Sequence, residues 1–372
     1  VSVIEEQAKP DGDFQTVKSP NPEEPEALQM AMEKANAIGA DIVPITGENR
    51  VLAYLGLQVI NNNPRPGIQA LGATLKKKDW TISDVVFVIA PRINAAGRMK
   101  HGGYAVEILL EKTYETARSQ AAAIETFNAS RKELDRSITQ EALAQLKELK
   151  EENRTTTVVY DKDWHKGVIG IVASRLIENY YRPTVVFTQS GDVLAASARS
   201  VKGFDLYKAL EACSEHLLQF GGHKYAAGMT MLPEQYESFK AKFEKVVSET
   251  IDPDMLIQQV PIDCELSLHQ LTSKFYRILK QFAPFGPGNM TPVFATHNVQ
   301  DTGYAKRVGK DETHLRITAL QEKGKPITGI GFGLGDRLPL VTNRNTFSMA
   351  YSVDENEWNN RISLQLKLKD IQ

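Results

Sequence analysis

Gly221-Gly222-His223-Lys224-Tyr225-Ala226-Ala227-Gly228 joins paired glycines, which let a backbone approach an anion closely, to an imidazole that can donate to it. That combination suits a phosphate. A glycine-terminated helix followed by a small-residue strand accounts for the same letters without a ligand. Upstream, Ser197 and Arg199 stand two residues apart in Ala195-Ala196-Ser197-Ala198-Arg199-Ser200, hence on one face of any strand there. A guanidinium offers a planar fork of donors for two phosphate oxygens, and a hydroxyl adds a third. An intradomain ion pair for Arg199 and a helix C-terminal cap for His223 are the structural alternatives. His165, between Trp164 and Lys166 ahead of Gly167-Val168-Ile169-Gly170, fits either a phosphate contact or a packed loop histidine.

The elements that must position these residues follow from periodicity. Thr156 to Tyr160 reads as a buried strand, Val168 to Tyr181 as a helix and Thr184 to Phe187 as a second strand, together a βαβ unit. Ala195 to Ser200 reads as a further strand; Asp205 caps a helix from Leu206 to Phe220 that Gly221 stops. Ligands of open α/β sheets collect beside strand ends and helix N-termini, so Ser197, Arg199 and His223 are expected on one rim. Before this domain, Ile124, Phe127, Leu134, Ile138, Ala142, Leu146 and Leu149 recur at helical intervals within Thr113 to Glu152. Unbroken, that helix would reach about 60 Å. It suits a connector between two domains, or a solvated helix packed along one stripe. Shorter helices are expected over Leu28–Ile38, Val51–Asn61 and Gly67–Lys76. From about Ile257 onward, short alternating segments such as Leu315–Ala319, Ile327–Phe332 and Ile362–Leu368 suit strands with one buried face.

Composition bounds the function. The 372 residues, 42% of them hydrophobic, allow two or three domains with real cores. A formal charge of -2 gives no general electrostatic case for nucleic acid, so any such contact depends on local basic patches. Two cysteines without metal-type spacing suit a reducing, cytoplasmic setting, and no stretch approaches a membrane span or a signal peptide.

Taken in order, these strings resemble the RecJ-type single-stranded-DNA exonucleases of the DHH phosphoesterase superfamily. The likeness extends upstream through Asp41-Ile42-Val43-Pro44-Ile45-Thr46-Gly47 and Ala90-Pro91-Arg92-Ile93-Asn94-Ala95-Ala96-Gly97-Arg98, and downstream to Ala283-Pro284-Phe285-Gly286-Pro287-Gly288-Asn289. It implies an α/β plus all-β chain, in which a DHH-associated α/β domain follows a long connecting helix and precedes an OB-like β-barrel. The boundaries expected are a helical remnant of the DHH domain over 43–112, the helix over 113–153, the α/β domain over 154–250 and the barrel over 256–372. The implied activity is metal-dependent 5′-to-3′ hydrolysis of single-stranded DNA in repair and recombination, using Mn2+ or Mg2+. Single-stranded DNA is the implied partner, with a helicase or single-strand-binding protein as a further one and a monomer as the implied state.

By the same resemblance, Ser197 and Arg199 recognise a 5′ phosphate, His223 faces the scissile phosphate as the catalytic candidate, and Gly221 and Gly222 serve the same site. Arg92 and Arg98 guide the strand, though either could pair with acids on the long helix. On the barrel, Tyr304, Lys306, Arg307, Lys310, His314 and Arg316 supply the mixture of aromatic and basic groups that grips single strands. Of the family's metal ligands only Asp41 has a counterpart, and the Asp-His-His triplet is missing. A two-metal centre needs several converging ligands, so hydrolysis by this chain is not expected, and a non-catalytic strand-binding module is the alternative. Residues 1–42 differ: Ser19-Pro20-Asn21-Pro22-Glu23-Glu24-Pro25-Glu26-Ala27-Leu28 resembles a phosphohexomutase. The mutase metal loop and serine nucleophile do not follow, so the segment reads as a join between unrelated sequences.

Overall fold

The computed structural model describes residues 43–75, 79–322, 324–358 and 361–372. The expected helix Leu28–Ile38 and Asp41 lie outside them. Two compact units are present: one comprises Val59–Gln258, the other residues 43–58 together with Gln259–Gln372.

In the first unit the helical portion contains the last turn of α1 (Gly47–Asn62), then α2 (Pro66–Leu71), α3 (Ala90–Met99) and α4 (Gly103–Leu110). Helix α2 is shorter than the Gly67–Lys76 expected. Gly72 is its C-cap, and there the Trp80 indole lies where a Cβ would stand, 1.9 Å from its ring carbon. A π-turn over Val85–Ile89 feeds α3, with the Ala90 amide donating five residues back to Val85. Pro91 has no N–H to close the next α-helical bond, which is the local reason for the widened turn.

Helix α5 (Tyr114–Glu148) is unbroken over 35 residues, about 53 Å long. Its N-terminal half packs on α2, α3 and α4, and its C-terminal half on the α/β part of the same unit. The buried stripe is Ala117, Ile124, Asn128, Arg131, Asp135, Ile138, Ala142 and Leu146, apolar at both ends and polar in the middle.

The α/β part is a five-stranded sheet of order β1-β2-β3-β5-β4, formed by β1 (Thr157–Tyr160), β2 (Thr184–Ser190), β3 (Val193–Arg199), β4 (Gln219–His223) and β5 (Ala226–Met231). Strands β1 and β2 run parallel across helix α6 (Ile169–Asn179), the βαβ unit expected; the other pairings are antiparallel. One face buries Val158, Phe187, Ala196, Ala198, Ala227 and Met229 among Phe239, Phe243 and Val247 of helix α8 (Tyr236–Thr250) and Leu206, Ala209 and Leu210 of helix α7 (Leu206–Glu211). Val159 and Val186 on the other face meet α5 and α6.

Helix α7 corrects the reading of Leu206 to Phe220 as one helix. Asp205 does cap it, accepting from the Lys208 amide at 3.2 Å, but it ends at Glu211 and a 3-10 turn follows. Phe220 and Gly221 belong to β4, where they pair with Met229 and Gly228. A sheet edge that can be extended wins over helix periodicity, and Gly221 stops no helix.

In the second unit, β7 (Phe294–Asp301), β9 (His314–Leu320), β10 (Ile327–Gly331), β11 (Phe347–Trp358) and β12 (Arg361–Ile371) close on themselves in the order β7-β11-β12-β10-β9, with Gln300 and Asp301 of β7 meeting Leu320 and Ala319 of β9. The short strands β6 (Cys264–Glu265) and β8 (Lys306–Val308) extend it. Val299, Leu315, Ile317, Tyr351, Leu366 and Ile371 fill the interior. Residues 43–58 complete this unit: the Ile45 amide donates to Pro287 O at 2.5 Å, Arg50 Nη2 to Phe282 O at 2.8 Å, and the Ile45 side chain fills the space a Cβ on Gly286 would need.

Candidate functional site: a basic cleft at the start of helix α6

The pairing register settles which side chains share a face. Arg199 pairs with Ala226, which pairs with His223; Ser197 pairs with Gly228, which pairs with Gly221. Partners in an antiparallel ladder point the same way, so Ser197, Arg199 and His223 all lie on the face that α6 covers further along the sheet. Between them the floor consists of Ala226, Gly228 and Gly221. A Cβ on Gly221 would meet nothing within 4 Å, so this floor is open. Gly222 differs: at φ +150° its missing Cβ would stand 2.3 Å from Ala226 O, and only glycine fits.

Helix α6 starts directly over Ser197 and Arg199. At Gly170 a Cβ would lie 2.9 Å from Ser197 Oγ and 3.0 Å from Arg199 Nη2. Val168 at the N-cap provides no side-chain acceptor, so the positive end of the helix dipole is left for an anion to meet. A cleft of about 310 Å³ results, lined by Arg98, Lys166, Gly170, Ser197 and Arg199 among others. Arg199 Nη1 donates to Ser197 Oγ at 3.1 Å and to Ala198 O at 2.8 Å, which sets its guanidinium beside the hydroxyl.

Arg98 comes from the end of α3 and donates through Nη1 to Gly167 O at 3.1 Å. The approach is close, since a Cβ on Gly167 would stand 2.5 Å from Arg98 O. Burial and the neighbouring positive charge of Arg131 both hold the Arg98 pKa below its ordinary value. Lys166 and Gly170 complete the cleft, although neither is a site candidate by sequence; their one signal there is a lysine and two glycines around the start of a helix.

The remaining candidates separate. Arg92 belongs to a structural clasp, donating to Glu125 Oε2 on α5 at 2.5 Å, to Val88 O at 2.6 Å and to Thr74 Oγ1 at 3.2 Å. The pairing with an acid of the long helix is thus realised for Arg92. His165 accepts the Gly167 amide at Nδ1, 3.1 Å away, as a packed loop histidine does, and is not among the residues lining the cleft. His223 also lies outside the lining, two strands from Arg199, about 10 Å between backbones. Its Nδ1 accepts from the Tyr225 amide at 3.3 Å.

On the barrel, Lys306 and Arg316 sit opposite each other on the exposed face of β8 and β9. Tyr304 is 76% exposed. Lys310 is exposed in the turn after β8, and the His314 ring meets the exposed Phe332 edge-on at 5.1 Å. Arg307 is partly committed, its Nε donating to Gly335 O at 2.9 Å.

Among the described residues no three His, Cys, Asp or Glu side chains converge as ligands of a metal ion would. This donor set does not fit the two-metal centre the resemblance implies.

The DHHA1 domain family matches residues 153–249 and the RecJ OB domain family residues 262–370, while the phosphoglucomutase/phosphomannomutase α/β/α domain II matches residues 1–47. The chain is 31% identical to the single-stranded-DNA-specific exonuclease RecJ of Bacillus subtilis over 90% of its own length and 43% of that protein. For the Escherichia coli protein of the same name the figures are 32%, 89% and 59%. A crystal structure of RecJ from Thermus thermophilus in complex with Mn2+ superposes with a TM-score of 0.80 at 28% identity, covering 94% of this chain and 50% of that one. A basic cleft on a DHHA1 sheet, a RecJ OB barrel and this coverage lead to one conclusion: the chain is a homologue of the RecJ single-stranded-DNA exonucleases that spans about half the length of the curated relatives it matches.

Proposed function

We propose that this chain grips single-stranded DNA by its 5′ phosphate, as the substrate-holding portion of a RecJ-type exonuclease. The observation that supports this best is the meeting of Ser197, Arg199 and the uncapped start of α6 in one cleft with Arg98 and Lys166. A terminal phosphate carries more charge than an internal one, and a helix N-terminus with a guanidinium beside it discriminates on that basis. Beyond the cleft, the open floor of Gly221, Gly228 and Ala226 leads to His223, whose imidazole would face a phosphate along the strand. The exposed Lys306, Arg316 and Tyr304 on the barrel would hold a further stretch through charge and stacking.

The hydrolytic step in this reading belongs to a protein that also has the metal-ligating part. There the divalent ions, Mn2+ or Mg2+, would activate water, and the residues here would hold the strand, with His223 beside the phosphate to be cleaved. A monomer acting in the cytoplasm alongside a helicase or a single-strand-binding protein fits the same reading. Cys213, buried with its thiol pushed up to about 12 by burial and then by Glu215, has no redox role in it.

The test is binding of fluorescent single strands carrying a 5′ phosphate or a 5′ hydroxyl, in low salt with Mn2+. Tighter binding of the phosphorylated strand is expected, with no release of nucleotides. Arg199→Ala should remove about tenfold of that preference. Equal affinity for both strands would sink the assignment of the cleft, and nucleotide release would overturn the non-catalytic reading.

A further inference from the structure

Beside the apolar stripe of α5 run Ser137, Glu141 and Gln145, four residues apart and therefore stacked along one line of the helix. Residue type alone marks them as a solvated ridge. In the structure the ridge grips residues 161–168, the segment that leads from β1 to α6. Gln145 Nε2 donates to Tyr160 O at 3.0 Å where the segment leaves β1, and the Trp164 indole Nε1 donates to Glu141 Oε2 at 2.9 Å. Ser137 Oγ donates to the other carboxylate oxygen of Glu141 at 2.7 Å, so both oxygens are engaged.

Trp164 and Val168 are the buried residues of this segment, the indole 5% exposed and packed with Ile138, Ala142, Val168 and Val186 in one cluster. They anchor what lies between them. Thr188 Oγ1 fixes the main chain of Trp164 by donating to its carbonyl at 2.5 Å, and the Val168 amide closes a turn on His165 O at 2.9 Å. Lys166 stands in that turn, exposed, its ammonium 3.3 Å from Ser190 Oγ, and it lines the cleft that holds Ser197 and Arg199. A buried indole N–H without an acceptor is costly, so loss of the Glu141 carboxylate would drive the ring towards water. That displacement would reach Lys166 two residues on.

We propose that Glu141 is a positioning residue of the cleft: through the Trp164 indole it sets where Lys166 stands, and so how strongly the cleft prefers a terminal phosphate to a hydroxyl. Glu141 itself touches no ligand. A helix that packs on α2, α3 and α4 by its N-terminal half thus also fixes a cleft residue by its C-terminal half. The inference rests on reading the cleft as a terminal-phosphate site, and it adds a control from outside the cleft lining.

The experiment measures the affinity ratio of 5′-phosphorylated to 5′-hydroxyl fluorescent single strands for the whole chain. Beside it, the fluorine resonance of Trp164 is followed in chain carrying 5-fluorotryptophan, assigned with Trp164→Phe. Glu141→Leu should lower the ratio about fivefold, the worth of one hydrogen bond, and shift the resonance. Glu141→Gln, whose amide oxygen still accepts from the indole, should keep both near the parent. Lys166→Gln should lower the ratio by a similar factor, and adding Glu141→Leu to it should cost little more, since the second change acts through the residue already removed. Should Glu141→Leu fail to fold, Trp164→Phe, which keeps an aromatic ring and removes the donor, must lower the ratio alike. A ratio unchanged in Glu141→Leu while Arg199→Ala abolishes it overturns this inference alone. So do a loss in Glu141→Gln equal to that in Glu141→Leu, and losses from Glu141→Leu and Lys166→Gln that simply add. A ratio indifferent to Arg199→Ala overturns the terminal-phosphate reading beneath it as well.

Discussion

Where Gly170 would carry a Cβ, the structure has the Ser197 hydroxyl and the Arg199 guanidinium. The obstructing atoms are the ends of side chains, so an added methyl can be accommodated by moving them. Gly170→Ala should therefore keep thermal stability within about 1 kcal/mol of the parent while displacing the anion ligands and weakening phosphate binding about tenfold. Melting curves beside binding isotherms would check it; equal loss of both would mean that Gly170 matters only for packing. The same scale shows what could be read in advance. Ser197 and Arg199 were legible because strand alternation puts them on one face whatever the fold. Arg92 and Arg98 were not separable by residue type. Six residues apart on α3 they project about 120° from each other around the axis. One faces Glu125 on the long helix and the other the cleft, and only the packed helix decides which.

Elements rather than residues explain why the sheet presents its site on one side. The first strand is anchored by α8: Glu244 accepts the amide and hydroxyl of Thr155 at 2.9 and 3.0 Å, and the amide of Thr156 at 3.0 Å together with its hydroxyl. Burial alone would raise the Glu244 pKa, but these bonds outweigh it and hold the carboxyl below its ordinary value. A depressed carboxyl pKa contributes stability above the unfolded value of about 4.3, lost as pH falls through the lower folded value. Glu244→Gln puts an amide donor where donors already point, and should cost about 1–3 kcal/mol at neutral pH. The gap between parent and variant should narrow below about pH 4 in urea titrations; a gap independent of pH would rule out the ionised carboxylate as the anchor. The βαβ unit, the long helix and the barrel strands were all visible as periodicity. Strand β4 was not, because Leu217, Leu218 and Phe220 continue the apolar spacing of α7. Only the neighbouring edge of β5 makes them a strand.

At the scale of the whole molecule, sequence order and spatial order part company. Residues 43–58 belong with Gln259–Gln372, an association that no local pattern announces. Arg50 fastens it through Phe282 O at 2.8 Å and Ala283 O at 3.3 Å. Arg50→Ala should lower the stability of the barrel unit by about 1 kcal/mol and leave the five-stranded sheet unaffected. Amide exchange resolved by strand would show faster exchange in β7 and β11 but not in β2 and β3, and uniform acceleration would contradict the grouping. The cleft, by contrast, is built wholly within the first unit, which is why its chemistry could be sketched from motifs.

The same latch has a consequence for biosynthesis. Arg50 and Phe282 are 232 residues apart in the chain. At about 5–20 residues per second, a ribosome takes on the order of tens of seconds to make the partner that Arg50 awaits. The α/β sheet, whose strands all lie within that interval, can form meanwhile. Newly made chains would thus acquire the basic cleft before the barrel closes, and a messenger cut short ahead of Phe282 would still encode it.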